Sequence, residues 1–221
     1  MKEYSFLDII GPIMVGPSSS HTAGACRIGN AAAKIAGAGF NKIVFNLHGS
    51  FAQTYEGHGT DKALIAGCLG FNPDDEEIKH SYDIAIDRGI EIEINEVEIP
   101  NAHPNTAQIE FHYPDGNIRI ITGISIGGGS IKIEEIDGIE VHMDGKSPTL
   151  ILKYHEQKGV ISKVSTVLAE RGYNIGTIKN DRGEDIVTLI LELDDELDEE
   201  TLTEIKELGL FELINYVEGL V

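Results

Sequence analysis

The sequence predicts an α+β protein in two parts, a mixed α/β domain over residues 1–146 and a βαββαβ domain over residues 147–221. Three observations predict it. Beyond Pro148, apolar stretches of strand and helix period follow one another in the order β-α-β-β-α-β, separated by glycine-containing or polar turns. Before it, Ile90, Ile92 and Ile94 alternate with Glu91 and Glu93, as the residues of a half-buried strand do. Near the start, the small residues of Ala23–Ala25 and Ile28–Ala33 predict a tightly packed helix, so helices and strands are interspersed in the first part.

Taken in order, the first part offers helices at roughly 22–38 and 60–69, with a short buried strand through Ile43, Val44, Phe45 and Leu47 between them. Thr60 or Asp61 caps the second of these helices and Gly70 ends it. Asp74 to Arg88 reads as a third helix, followed by the Ile90–Ile94 strand. A Pro/Asn loop at 101–105 leads into a strand from Ala107 to His112. Tyr113-Pro114-Asp115-Gly116-Asn117 turns the chain into Ile118–Ile121. Gly127-Gly128-Gly129-Ser130 is flanked by alternating isoleucines and reads as a bend or bulge between strands rather than a phosphate loop. Gly138–Val141 adds a strand, and Asp144–Pro148 marks the boundary.

In the second part, Thr149–Tyr154 is a strand and His155–Gly159 a turn. Val160–Arg171 is an amphipathic helix, with Val160, Ile161, Val164, Val167 and Leu168 on one stripe and Gly172 as its stop. Tyr173–Lys179 and Asp185–Leu193 are strands joined by a turn at Asp181–Gly183. A helix over Asp198–Leu208 and a strand over Phe211–Val217 complete the ferredoxin-like plan.

Two segments concentrate chemistry. Gly16-Pro17-Ser18-Ser19-Ser20-His21-Thr22 brings four hydroxyls and an imidazole to the entry of the first helix. One hydroxyl suffices for an N-cap, so four point to a ligand. Unpaired amides and the helix dipole suit a carboxylate or phosphate there. The second segment runs from His48-Gly49-Ser50 to Gly57-His58-Gly59-Thr60-Asp61. A histidine between glycines packs little of its own surface and is presented to a ligand, the alternative being a plain turn. The two junctions are placed to converge on one polar pocket.

Several classes are excluded. The formal charge of −20 argues against nucleic acid, which needs a basic face. There is no phosphate-loop motif, no GxGxxG after a strand and no GxSxG elbow. The two cysteines, Cys26 and Cys68, both fall in expected helices as small apolar residues, and two thiols do not supply the four ligands of a [4Fe–4S] cluster. No run of about 18 apolar residues and no signal-peptide pattern is present, which predicts a cytoplasmic protein without a membrane partner.

The tail resembles an ACT domain, the amino-acid-sensing module of this topology. The resemblance places an effector site at His155, Gln157, Gly159, Val160 and Asn174, although Lys158 stands where the family often has proline. GPSSSHTAG at Gly16–Gly24, within FLDIIGPIMVGPSSSHTAGACRIGNAAA, and HGSFAQTYEGHGTD at His48–Asp61 are similar to the small (β) subunit of bacterial iron–sulfur L-serine dehydratases. The front domain also resembles the allosteric substrate-binding domain of some phosphoglycerate dehydrogenases. The resemblance covers essentially the whole chain. It implies conversion of L-serine to pyruvate and ammonia, with a separate α subunit holding the [4Fe–4S] cluster and no metal on this chain. By the same resemblance, Ser18, Ser19, Ser20, His21 and Thr22 hold the substrate carboxylate. His58, Thr60 and His21 lie at the reacting centre, with Asp61 beside them, and the ACT domain assembles a homo-oligomer. A purely regulatory or assembly subunit is the alternative.

Overall fold

A computed structural model of the chain describes residues 13–145, 147–183 and 185–219. They form two compact units that meet between Asp144 and Gly145. Residues 6–12 of the serine dehydratase-like stretch lie outside the described residues.

The first unit is built on a six-stranded sheet of order β2-β1-β3-β4-β5-β6. Strands β1 (Lys42–Gly49) and β2 (Glu91–Val97) are parallel. β3 (Asn105–His112), β4 (Ile118–Gly127), β5 (Ser130–Ile136) and β6 (Ile139–Met143) continue antiparallel from β1. Phe45, Leu47, Ile109, Phe111, Ile121 and Ile133 are fully buried, one alternating set per strand, as a sheet covered on one face requires. Helix α1 (Ala25–Ala36) lies across β3, β4 and β5. Helix α2 (Ser50–His58) rests on β1, β2 and β3, and helix α3 (Thr60–Cys68) packs on both α1 and α2.

The α1–α3 contact is made backbone to backbone. A Cβ on Gly29 would lie 2.2 Å from the Leu64 carbonyl oxygen, and one on Gly67 would lie 2.0 Å from that of Cys26. Each glycine therefore serves as the hollow for the opposing helix. Cys26 and Cys68 lie buried along this crossing as free thiols. The Gly127–Ser130 segment is a tight hairpin, with Gly128 and Gly129 both at positive φ (62° and 79°), the backbone a two-residue turn of this hand demands. Arg27 of α1 donates to the Gly129 carbonyl at 2.8 Å and ties the hairpin to the helix.

Four local expectations change. Helical structure begins at Ser19 rather than 22, as a π-turn (Ser19–Gly24) running into α1. Residues 50–58, to which the sequence pattern assigns no element, form α2. That helix buries only Phe51 and Ala52, so its apolar period is faint. Neither Thr60 nor Asp61 caps α3; Gly59, left-handed at φ 68°, occupies that position, and Thr60 lies inside the helix. The single helix expected over 74–88 divides into a 3₁₀ turn (Glu76–His80) and helix α4 (Ser81–Asp87).

The second unit has strands β7 (Thr149–His155), β8 (Ile175–Arg182), β9 (Ile186–Leu193) and β10 (Leu213–Val217), with helices α5 (Val160–Glu170) and α6 (Glu199–Glu207). Its order β10-β7-β9-β8, antiparallel throughout, is the sheet expected of a βαββαβ chain. Leu150, Leu152, Val164, Leu168, Leu189, Leu191 and Ile205 form its core. Asp198 caps α6 by accepting from the Thr201 amide at 2.7 Å. Among the described residues no helix is long and apolar enough to cross a membrane.

Candidate functional site

The site grows from two chain reversals. In the first, Ser18 is in extended backbone and its hydroxyl accepts from the His21 amide at 3.2 Å, which caps the π-turn. A π-turn widens the helix locally and moves the following side chains off their normal register, a device common where chemistry is done. In the second, β1 ends at Gly49, whose Cβ would meet the Pro104 carbonyl oxygen at 2.7 Å. The chain turns there and starts α2 at Ser50.

His21 stands where these reversals meet. Its Nε2 lies 3.2 Å from Ser50 Oγ and its Nδ1 3.4 Å from Ser18 Oγ. Hydroxyls both donate and accept, so a neutral imidazole satisfies both contacts in either tautomer. The edge of Phe51 packs on the ring at 5.2 Å between centroids, and the His58 ring crosses it at 5.0 Å and 72°. Burial lowers the His21 pKa from its ordinary value, the His58 charge lowers it further, and a hydrogen bond with the Ser50 backbone opposes both. The outcome is a neutral, hydrogen-bonded imidazole touching a second, exposed one, an arrangement able to accept and pass on a proton.

The remaining sequence-predicted residues divide. Ser19 and Ser20 are half-buried beside His21, and their hydroxyls have no partner among the described residues. Thr22 is only 2 % exposed, with its hydroxyl also unpartnered there. Thr60, on the far side of Gly59 from His58 in the chain, is fully buried. Asp61 is buried as well, and its Oδ2 accepts from Tyr82 at 3.0 Å; burial first, and then Asp61, push the Tyr82 pKa upward. Two open clefts, about 460 and 490 Å³, flank the end of α2; both include Glu56, Gly57 and His58. Neither Thr60 nor Asp61 lines them. Ser50 and Phe51 are site neighbours that the sequence displayed without marking. Tyr82 gave no local signal, because its partner lies in a different helix.

In the second unit, the residues assigned to an effector do not converge within one chain. His155 ends β7 opposite Ile186, whereas Asn174 precedes Ile175, which pairs with Leu193 at the other end of β9. The length of β9, roughly 20 Å or slightly more, separates those two ends. His155 pairs with Glu212 at 2.9 Å, Asn174 donates to Asp194, and the Val160 side chain is in the core. Gly159, left-handed at φ 87°, opens α5 with clear space where a Cβ would stand, and Gln157 is exposed beside it.

Comparison with known proteins gives this geometry a lineage. Residues 5–87 match the family model described as the serine dehydratase beta chain, and residues 149–210 match the ACT domain. A protein of Peptoniphilus asaccharolyticus named "L-serine dehydratase, beta chain" is 46% identical over 99% of this chain and 100% of its own length. The chain belongs to the family of L-serine dehydratase beta chains. A second member, the "Probable L-serine dehydratase, beta chain" of Bacillus subtilis, is 42% identical over 94% of this chain and 95% of its own length. The Escherichia coli protein "L-serine dehydratase 1" is 28% identical over 66% of this chain but only 38% of its own length. The beta-chain family thus matches a portion of a longer single polypeptide.

An iron–sulfur cluster does not fit the donors of this chain. Burial pushes the Cys26 thiol up to about 12 and that of Cys68 well above its ordinary value, which keeps both protonated, whereas a ligand must be thiolate. Among the described residues no three potential metal ligands gather.

Proposed function

We propose that this chain is the β component of a cytoplasmic L-serine dehydratase and completes the active site of a separate α subunit that carries the [4Fe–4S] cluster. The observation that supports this reading is the 5.0 Å approach of His21 and His58, which come from two hydroxyl-rich segments with 36 residues between them (58 − 21 − 1). The reaction removes the Cα proton and the β-hydroxyl of L-serine as water, and the resulting aminoacrylate takes up water to give pyruvate and ammonia.

In this scheme Ser18, Ser19, Ser20 and Thr22 hold the substrate carboxylate through hydroxyls and helix-entry amides. His21, whose pKa burial lowers, and His58 are placed to accept the Cα proton, unless the α subunit supplies the base. Phe51 limits water on one side of His21. Buried Thr60 and Asp61 support the α2–α3 turn that carries His58. The ACT domain assembles a homo-oligomer and regulates it, with an amino-acid effector admitted at Gly159 and Gln157.

The experiment is reconstitution with the α subunit. The β chain alone is expected to be inactive, and the complex active. In the complex, His58→Ala is expected to lower kcat by roughly 10²-fold or more, the scale of an acid–base contribution, and Ser19→Ala to lower kcat/KM through loss of a carboxylate hydrogen bond. Full turnover by both variants removes the shared-site reading.

A further inference from the structure

Ser50 carries a hydroxyl that its place in the helix does not account for. A serine at a helix start ordinarily caps it, yet α2 has Gly49 at its N-cap and no side-chain cap hydrogen bond. Among the described residues the one partner of Ser50 Oγ is His21 Nε2, 3.2 Å away. The residue is fixed from both sides. Gly49 before it, at φ 61°, fits against the Pro104 carbonyl oxygen, which a Cβ would approach to 2.7 Å. Phe51 after it is fully buried, and its amide donates to the same Pro104 carbonyl at 3.3 Å. Thr54, one turn on, donates to the Ser50 carbonyl at 2.8 Å. The hydroxyl is therefore delivered to His21 by a backbone with little freedom to move.

The hydrogen-bond directions follow from the donor count. Ser18 Oγ already accepts from the His21 amide at 3.2 Å, which leaves its own proton to give to His21 Nδ1 at 3.4 Å. With Nδ1 the acceptor, Nε2 carries the ring proton of a neutral imidazole and donates it to Ser50 Oγ, the shorter of the two contacts. The Ser50 backbone points the same way. It raises the His21 pKa, as an accepting carbonyl does and a donating amide does not. Both ring nitrogens are thereby engaged, and what His21 offers its neighbour is the ring itself, with the His58 ring 5.0 Å away at 72°. His58 is exposed, and its nitrogens have no hydrogen-bond partner among the described residues.

We infer that Ser50 is a positioning residue of the site: its hydroxyl takes the Nε2 proton of His21, fixes that tautomer, and sets the ring against which His58 is presented to the substrate. The inference rests on the proposed dehydratase role and narrows it. A histidine with both nitrogens bonded acts through its neighbour, whereas His58 keeps a nitrogen free for proton transfer. Loss of the Ser50 hydroxyl leaves Nε2–H without its acceptor, so the proton moves to Nδ1 in part of the molecules and the ring turns relative to His58.

The test begins with the full-length chain carrying isotope-labelled histidine, by nitrogen–proton correlation NMR at about pH 8, where a histidine of lowered pKa is neutral. The His21 ring proton is expected on Nε2. Ser50→Ala is expected to give a mixture of the two tautomers, and Ser50→Thr to keep the original one. The unsubstituted chain reads the tautomer by itself, so that assignment is decided even where Ser50→Ala does not fold. In the reconstituted αβ complex with L-serine, Ser50→Ala is expected to lower kcat roughly 3- to 10-fold with KM nearly unchanged, the scale of one neutral hydrogen bond. Ser50→Thr is expected to restore it. A proton on Nδ1 in the unsubstituted chain overturns the inference, and so does a tautomer or a kcat that Ser50→Ala leaves unmoved. A silent Ser50→Ala beside an inactive His58→Ala removes the inference and leaves the shared active site standing. Full turnover in His58→Ala removes the shared site, and the catalytic part of the inference with it, whatever the spectrum shows.

Discussion

His21 is the residue at which sequence, packing and electrostatics meet, and its titration gives the first prediction. Its pKa is lowered, first by burial and second by His58. Above about pH 6.5 a histidine is neutral in both native and unfolded chains and adds no pH dependence. As pH falls below that, the unfolded chain binds its proton first, so the native state loses stability until the lowered native pKa is passed. His21→Gln is expected to reduce the loss of urea midpoint between pH 7.5 and pH 5. Removing the neighbouring charge by His58→Asn is expected to raise the His21 midpoint observed by proton NMR. A midpoint that stays put or falls contradicts the electrostatic coupling of the two rings.

Among elements, the α1–α3 crossing carries the sharpest contrast. Gly67→Ala would place a methyl 2.0 Å from the Cys26 carbonyl oxygen, which only separation of the helices relieves. Overpacking of this kind costs about 1–3 kcal/mol. Gly57→Ala, inside α2, meets nothing within 4 Å and removes a helix-weakening glycine, so it is expected to stabilise by about 0.5–1 kcal/mol. Urea unfolding of the two variants should move in opposite directions; a shared sign refutes the packing role of Gly67. These same glycines explain what was legible in the sequence. Gly172 stops a helix and was readable as such, since it follows an amphipathic stripe. Gly57 looked like a turn residue because α2 has too few buried positions to show a helical period. Gly29 and Gly67 act through a helix distant in sequence, which no local pattern encodes. The chemistry of the site was legible as residue types, whereas Ser50 beside His21 and Tyr82 beside Asp61 needed the third dimension.

At the scale of the whole molecule, the two units differ in how far their cores depend on long connections. The first unit places β2 beside β1 after 41 intervening residues (91 − 49 − 1) that contain α2, α3 and α4. The second closes its sheet over Thr149–Val217 with short turns, and Leu150, Leu152, Val164, Leu168, Leu189, Leu191 and Ile205 meet within it. Its core draws on both helices and on strands β7 and β9, each of which pairs inside the unit. A domain with a core of its own folds alone. A fragment of residues 147–221 is therefore expected to unfold in one cooperative thermal transition with strand and helix signals lost together. Within it, Leu168→Ala should lower stability by about 2–5 kcal/mol, the usual cost of such a truncation in a closed core. A fragment that melts gradually, or one indifferent to Leu168→Ala, would mean that the tail borrows its core from residues before 147.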